Sequence, residues 1–139
     1  MAARYVLDSF ALTALFQEEP GAAKVQKLLE GARGDEHELH MSVVNLGEVA
    51  YTVENRRGLE ASQEALAAVD QLPIEIVDVD RALALSAARL KAASGIGYAD
   101  CFVAALAQRL DAAVVTGDPD FRQVEHLVAV EWLQSADTQ

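Results

Sequence analysis

The part of this chain that says most about its fold reads AAVVTGD, residues 112–118. The unbroken apolar run at 112–115 is typical of a strand that lies inside a parallel sheet and is buried on both faces. Turn-forming residues follow it at 116–120,. The stretch therefore predicts a central strand with acidic residues just beyond its carboxyl end.

Strand-like and helix-like patterns alternate along the rest of the chain, without an internal repeat. This alternation predicts an α/β domain with a mostly parallel central sheet and helices on both faces. The predicted strands lie at residues 5–7, 39–44, 74–77, 112–115 and 127–130. The predicted helices lie at residues 9–16, 22–32, 45–56, 60–71, 80–93 and 98–110.

The size and hydropathy of the chain suit one globular domain. Its 139 residues are 52% hydrophobic, which is ample for a single core,. We expect the domain to span residues 1–133 and residues 134–139 to fray. No stretch approaches the roughly twenty unbroken apolar residues that cross a bilayer, and no signal-peptide core follows the first residues. The sequence thus predicts a cytoplasmic protein that does not enter a membrane.

The charge balance is strongly acidic. Twenty-two acidic residues against eleven basic ones give a net charge of −11, which disfavours a polyanionic partner such as nucleic acid. That objection weakens where carboxylates converge on divalent cations, because the ions then reverse the local field. The positions of the acids therefore matter more than their number.

Four acidic residues lie where the predicted topology brings strand ends together. Asp8 directly follows the first strand, and Asp118 lies shortly after the strand 112–115. Glu48 and Asp100 each lie in the predicted first turn of a helix. Ligands of such sheets bind beyond the carboxyl ends of the strands. Because Mg²⁺ prefers oxygen ligands and offsets the repulsion between carboxylates, the four acids predict a metal site at this edge.

Each acid also has an ordinary structural interpretation. Asp8 would cap the helix that follows it, and Asn45 with Glu48 has the spacing of a capping box. Asp100 would be a favourable acid in a first helical turn, and Asp118 a common turn residue. None of these interpretations explains why all four acids fall at one sheet edge.

Other potential metal ligands do not form a pattern. His37 and His40 lie three residues apart without a third matching ligand, and Cys101 is the only cysteine. We therefore expect ordinary surface histidines and a buried apolar cysteine, and no zinc site.

At these acidic residues the sequence resembles the PIN-domain nucleases, and in particular the VapC-type toxins. The resemblance extends over nearly the whole chain, and its most specific part is the block that contains Thr-Gly-Asp and the Asp-Phe after it. The matching blocks are YVLDS (5–9), SVVNLGEV (42–49), YAD (98–100) and VVTGDPDF (114–121).

The resemblance implies a PIN-like three-layer α/β/α domain that hydrolyses RNA with one or two Mg²⁺ or Mn²⁺ ions. It also implies a homodimer that a VapB-type antitoxin neutralises. Since only Arg56 and Arg57 form a basic pair, few side chains are available to hold the RNA phosphates. The implied metal ligands and catalytic residues are Asp8, Glu48, Asp100 and Asp118. The implied supporting side chains are the hydroxyls of Thr116 and Ser9 and an additional carboxylate, Asp120.

Three other functions share parts of this pattern. A phosphoacceptor receiver domain needs an acidic pair after the first strand and a late lysine, but Ser9 follows Asp8 and the turn at 115–117 has no lysine. A haloacid-dehalogenase-like phosphatase needs a second aspartate where Phe10 stands. A PIN-fold binding or regulatory module without nuclease activity stays open, although the four intact acids weigh against it.

Overall fold

The computed structural model describes residues 2–133, so the predicted fraying of 134–139 lies outside the described part. Its strands are β1 (Ala3–Leu7), β2 (His37–Ser42), β3 (Ile74–Val77), β4 (Ala113–Thr116) and β5 (Val130–Trp132). Its helices are α1 (Ser9–Phe16), α2 (Ala22–Arg33), α3 (Val43–Arg57), α4 (Leu59–Val69), α5 (Arg81–Ala93) and α6 (Tyr98–Leu110), with a short 3₁₀ helix at Pro119–Val124.

All five strands form one sheet in the order β3-β2-β1-β4-β5, and every neighbouring pair is parallel. The chain builds outward from β1 to β2 and β3 and then returns to the other side of β1 with β4. The carboxyl ends of β1 and β4 thus flank the point where the strand order reverses, which is where open α/β sheets bind ligands. The predicted α/β fold with a mostly parallel sheet is confirmed.

Helices cover both faces of the sheet, as predicted for a three-layer domain. Successive residues of β1 and β4 point to opposite faces. Val6 and Val114 pack with α5 and α6, whereas Leu7 and Val115 pack with the layer formed by α1, α2, α3 and α4. Cys101 is fully buried in the α5/α6 layer, in agreement with its expected apolar role. Within residues 2–133, no single helix is long and apolar enough to cross a membrane; α5 and α6 meet those criteria together but are bent by 118°.

The start of α3 differs from the prediction. Val43 and Val44 were expected to extend β2, but they are helical, because the Ser42 side chain accepts a hydrogen bond from the Val44 N–H at 3.1 Å and caps the helix,. Asn45 therefore does not begin the helix, and the capping box is wrong. Glu48 consequently lies in the second turn of α3 instead of the first.

The last strand is also shifted. A strand was expected at 127–130, but β5 begins only at Val130, opposite Val114. The N–H groups of Leu127 and Val128 both donate to the Val124 carbonyl oxygen, at 2.9 and 3.1 Å. These two residues therefore close a turn and cannot join the ladder of the sheet.

The two histidines of β2 differ in their surroundings. His37 is partly exposed and faces the edge of the Tyr5 ring. His40 is only 6% exposed, so the expectation of a surface histidine is wrong for it. Its Nδ1 lies 2.8 Å from Glu75 and its Nε2 lies 3.2 Å from Glu38. Hydrogen bonds with the two carboxylates offset the free-energy cost of burying the polar ring.

Candidate metal centre

A cleft of about 270 Å³ opens beyond the carboxyl ends of β1 and β4. Each of the four acids predicted from the sequence lines it, although they come from a strand end, two helices and a loop. Ser9 also lines this cleft, from the first turn of α1. The predicted acids on the cleft wall are Asp8, Glu48, Asp100 and Asp118; Glu19, which the sequence patterns did not indicate, also lines it.

Asp8 is the most deeply placed of these acids, with 2% of its surface exposed. Its Oδ1 accepts a hydrogen bond from the Ala11 N–H at 3.0 Å and caps α1, while its Oδ2 accepts one from the Thr116 hydroxyl. Burial raises the pKa of Asp8 to about 8, against the lowering effect of these hydrogen bonds,. The capping interpretation is correct, and it coexists with a place on the cleft wall.

Thr116 connects the ends of the two central strands. It is the last residue of β4 and is fully buried. Its Oγ1 donates to Asp8 and accepts a hydrogen bond from the Asp118 N–H at 3.0 Å. One hydroxyl thus fixes two acid-bearing segments, which suits the orienting role that the resemblance implies for it.

Gly117 lies between Thr116 and Asp118 and is constrained by close packing. A Cβ atom at this position would lie 2.3 Å from Cε1 of the Phe10 ring. A side chain at 117 would therefore displace either Phe10 or the loop that carries Asp118. Only glycine avoids this steric overlap without a rearrangement.

Asp100, Asp118 and Asp120 form the tightest acidic group. One carboxylate oxygen of each lies within 4.8 Å of one oxygen of the other two, and within residues 2–133 no other set of three or more histidine, cysteine or acidic side chains comes this close. Asp8 and Glu48 line the same cleft but are not part of this group. Burial raises the pKa of Asp100 to about 7, and repulsion from Asp118, Glu48 and Asp120 adds to the rise,. Asp120 is exposed, and its backbone N–H donates to Asp118 Oδ1 at 2.9 Å, which holds the two residues together.

Glu48 is held by a residue whose role the sequence reasoning missed. The Asn45 Nδ2 donates to Glu48 Oε1 and to the Ala99 carbonyl oxygen, both at 3.0 Å. Asn45 lies in line with Val49 and Val53, the other buried residues of α3. An asparagine on the buried face of a helix is a signal that could have identified it, since a buried amide needs hydrogen-bond partners.

The donors of this cluster are carboxylate oxygens. Such a set suits a hard divalent cation and not a thiolate- or imidazole-bound metal. A cation would also offset the mutual repulsion of Asp8 and Asp100 with the other acids and the cost of keeping their charges buried, which together raise their pKa values,. The residues present therefore fit a divalent metal ion.

Comparison with known proteins agrees with this architecture. VapBC2 from Rickettsia felis, bound to a DNA fragment from its promoter, has a TM-score of 0.76 at 20% identity, covering 94% of this chain and 99% of that chain. Mycobacterium tuberculosis VapC20, described as a toxin that cleaves the sarcin-ricin loop, has a TM-score of 0.65 at 15% identity, covering 79% and 86%. VapBC-5 from the same organism, of the VapBC family of toxin-antitoxin systems, has a TM-score of 0.62 at 24% identity, covering 95% and 98%. At these identities the likeness shows a shared fold.

Sequence comparison gives the family. Among curated proteins, none matches this sequence significantly. The sequence profile of the PIN domain matches residues 5–127, which include all of the acids described above. Because the match covers most of the chain, this protein belongs to the PIN domain family.

Proposed function

We propose that this chain is a VapC-type toxin, an endoribonuclease that depends on Mg²⁺ or Mn²⁺ and is neutralised by a VapB-type antitoxin. The proposal rests on one observation: Asp8, Glu48, Asp100 and Asp118 converge on one cleft of a PIN fold, at the point where the strand order reverses. The sarcin-ricin loop cleavage named for VapC20 supports RNA as the substrate.

The side chains of the cleft would hold one or two ions through carboxylate oxygens. A divalent cation bound there would supply an activated water and would stabilise the negative charge on the phosphate during hydrolysis. Thr116 keeps Asp8 and the Asp118 backbone in place before substrate arrives. Asp120 would contribute the additional carboxylate, from the exposed side of the group.

The partners follow from the same proposal. The toxin-antitoxin family named for VapBC-5 supports an antitoxin as the binding partner. A toxin that cuts cellular RNA would act in the cytoplasm, and both this location and the homodimer stay predictions. Co-purification of this chain with the product of a neighbouring small gene would test the partner.

The decisive experiment for the proposed function is an RNA cleavage assay with the purified chain. We expect cutting of a sarcin-ricin-type hairpin or of total RNA in Mn²⁺ or Mg²⁺, loss of cutting in EDTA, and recovery when Mn²⁺ is added in excess. Cleavage that persists in EDTA would contradict the role of the acids as metal ligands. RNA binding without cleavage in any metal would indicate the binding module without nuclease activity.

Arg56 offers a test of how so acidic a chain binds RNA. It lies near the end of α3 and is the only basic residue among the described residues that line the cleft. Its guanidinium lies 3.6 Å from Glu19 Oε1 and donates a hydrogen bond to Gln17. An arginine in this position is placed to pair with a phosphate next to the cleaved bond.

We therefore expect Arg56→Ala to raise the KM for RNA by about tenfold while kcat changes little, because the change removes a charged hydrogen bond to the substrate. The slope of log K against log salt for RNA binding should fall by about one. Arg57→Ala is the matched control, because Arg57 is the next residue of α3, is exposed and does not line the cleft. Equal effects of the two substitutions would indicate a general charge effect instead of a phosphate contact at the site.

A further inference from the structure

Asn45 is a buried amide between two helices that carry acids of the cleft. It is 0% exposed, and its Nδ2 donates to Glu48 on α3 and to the Ala99 carbonyl on α6. Both partners are acceptors, so the orientation of the amide is determined: the reverse orientation would place Oδ1 against two oxygens. Asn45 thus supplies two donors that no apolar residue could replace.

The surroundings of Asn45 make it an unfavourable choice for stability alone. Asparagine is a poor helix former, and the buried positions one and two turns later are Val49 and Val53. Its Oδ1 is buried and has no hydrogen-bond partner among the described residues. An apolar side chain would continue the stripe without leaving a buried oxygen unpaired.

The two hydrogen bonds of Asn45 connect acids from different parts of the chain. Ala99 directly precedes Asp100, so one amide fixes the position of Glu48 relative to the first turn of α6. Glutamate has several rotatable bonds, and a hydrogen bond to Oε1 restricts them while Oε2 can still bind a cation. Partners of this kind orient metal ligands and influence metal affinity.

We propose that Asn45 is a positioning residue that holds the Glu48 carboxylate in the geometry needed to bind the divalent ion beside Asp100. The inference rests on the proposed function, because it assigns Asn45 a role toward the same metal centre. It also predicts that the role of Asn45 can be separated from the stability of the fold.

The experiment titrates Asn45→Leu and the wild-type chain with Mn²⁺ alone. Binding is measured by thermal unfolding and by calorimetry. Leucine has a similar shape, cannot donate and extends the apolar stripe. We expect a melting temperature without Mn²⁺ that is equal or higher, and an apparent Kd for Mn²⁺ that rises by about 10–100-fold. In cleavage assays at fixed Mn²⁺, kcat should fall while the KM for RNA stays unchanged.

Two further variants keep the test decisive. Asn45→Ala removes the same donors with less volume, in case leucine does not fit. Ser62→Ala is the matched control: the Ser62 hydroxyl is buried and donates to the Ala50 carbonyl at 2.8 Å, so it links α4 to α3 without contacting an acid of the cleft. It should lower the melting temperature and leave the Mn²⁺ affinity unchanged.

The possible failures are distinguishable. If the wild-type chain binds Mn²⁺ and both Asn45 variants bind it within about threefold of wild type, the positioning role is wrong and the proposed function stands. If Ser62→Ala weakens Mn²⁺ binding as much as the Asn45 variants do, the effect is general loosening of α3, and the positioning role is again overturned. A wild-type chain that does not bind Mn²⁺ overturns the proposed metal centre, and the inference with it.

Discussion

Asp100→Asn is expected to abolish RNA cleavage and, at the same time, to raise the melting temperature of the metal-free protein. The pKa of Asp100 is raised to about 7 by burial and by repulsion from Asp118, Glu48 and Asp120. At pH 8 the Asp100 carboxylate of the folded protein is therefore ionised, although burial and the neighbouring acids disfavour its charge. Asparagine is nearly isosteric and neutral, so it removes this cost together with a metal ligand charge.

The two effects have different sizes. Loss of a residue that only supports a ligand commonly costs 10–100-fold in activity, so loss of the ligand itself should cost more than about 100-fold. The stability gain is limited because Asp100 is partly exposed and solvent screens its charge,. We expect roughly 1–2 kcal/mol, equivalent to a rise of about 3–6 °C in Tm for a chain of this size.

Both effects are measured on one preparation, by RNA cleavage in Mn²⁺ and by thermal unfolding in EDTA at pH 8. Asp35→Asn is the matched control, because Asp35 is exposed and precedes β2 at the opposite edge of the sheet from the cleft. That substitution removes the same charge and should change neither quantity. More than about a tenth of wild-type cleavage in Asp100→Asn would count against this carboxylate as a metal ligand.

The sequence predicted four of the five acids that line the cleft among the described residues, because their positions depend on local patterns; Glu19 is the acid it did not predict. Asp8 and Asp118 follow buried strands directly, and parallel strands end at one edge of a sheet,. Asp100 lies in the first turn of a helix that follows a glycine-containing loop, as expected. The family resemblance identified the same acids through short blocks. Their metal-binding role is still a prediction.

Local sequence patterns could not predict the contacts that support these acids. Thr116 and Asp8 are 108 residues apart in sequence, and Asn45 is 54 residues from Ala99. Each pair meets only because the strand order places β4 beside β1 and packs α3 against α6. A pattern of hydrophobicity predicts that strands and helices form, but it does not predict which polar atoms face each other across them.

Errors in the predicted boundaries arose where a local hydrogen bond overrode side-chain preference. Val43 and Val44 favour a strand as β-branched residues, yet the Ser42 cap brings them into α3. That shift moved Glu48 to the second helical turn and changed the role of Asn45 from a cap to a buried amide. The boundary error and the missed residue therefore have one physical cause.

A second large effect concerns pH, and its direction follows from the raised pKa values of Asp8 and Asp100. These pKa values are about 8 and about 7 in the folded metal-free protein, against an ordinary value of 3.8 for an aspartate side chain. An acid whose pKa is higher in the folded state keeps its proton there while the unfolded chain loses it. Its contribution to stability is therefore fully present below about pH 4 and is lost as the pH rises through about 7–8.

Divalent ions should reverse this trend, because they bind the deprotonated carboxylates and protons compete with them. We expect the rise in Tm caused by millimolar Mn²⁺ or Mg²⁺ to be large at pH 8 and small at pH 5. Thermal unfolding at pH 5, 6.5 and 8 measures how Tm changes with pH in EDTA and in Mn²⁺, with Ca²⁺ for comparison.

The net charge of −11 also lowers stability as the pH rises,. The contribution of Asp8 and Asp100 to the pH dependence of Tm is therefore measured by comparison with a variant that lacks both carboxylates. The double variant Asp8→Asn/Asp100→Asn retains the other acids but lacks the two groups with raised pKa values. Its Tm in EDTA should fall less between pH 5 and pH 8 than that of the wild-type chain, and Mn²⁺ should barely shift it at either pH. If Mn²⁺ raises Tm equally at pH 5 and pH 8, or still raises it in the double variant, no proton is displaced from Asp8 and Asp100 when the ion binds. Either result would place the ion outside the carboxylate cluster.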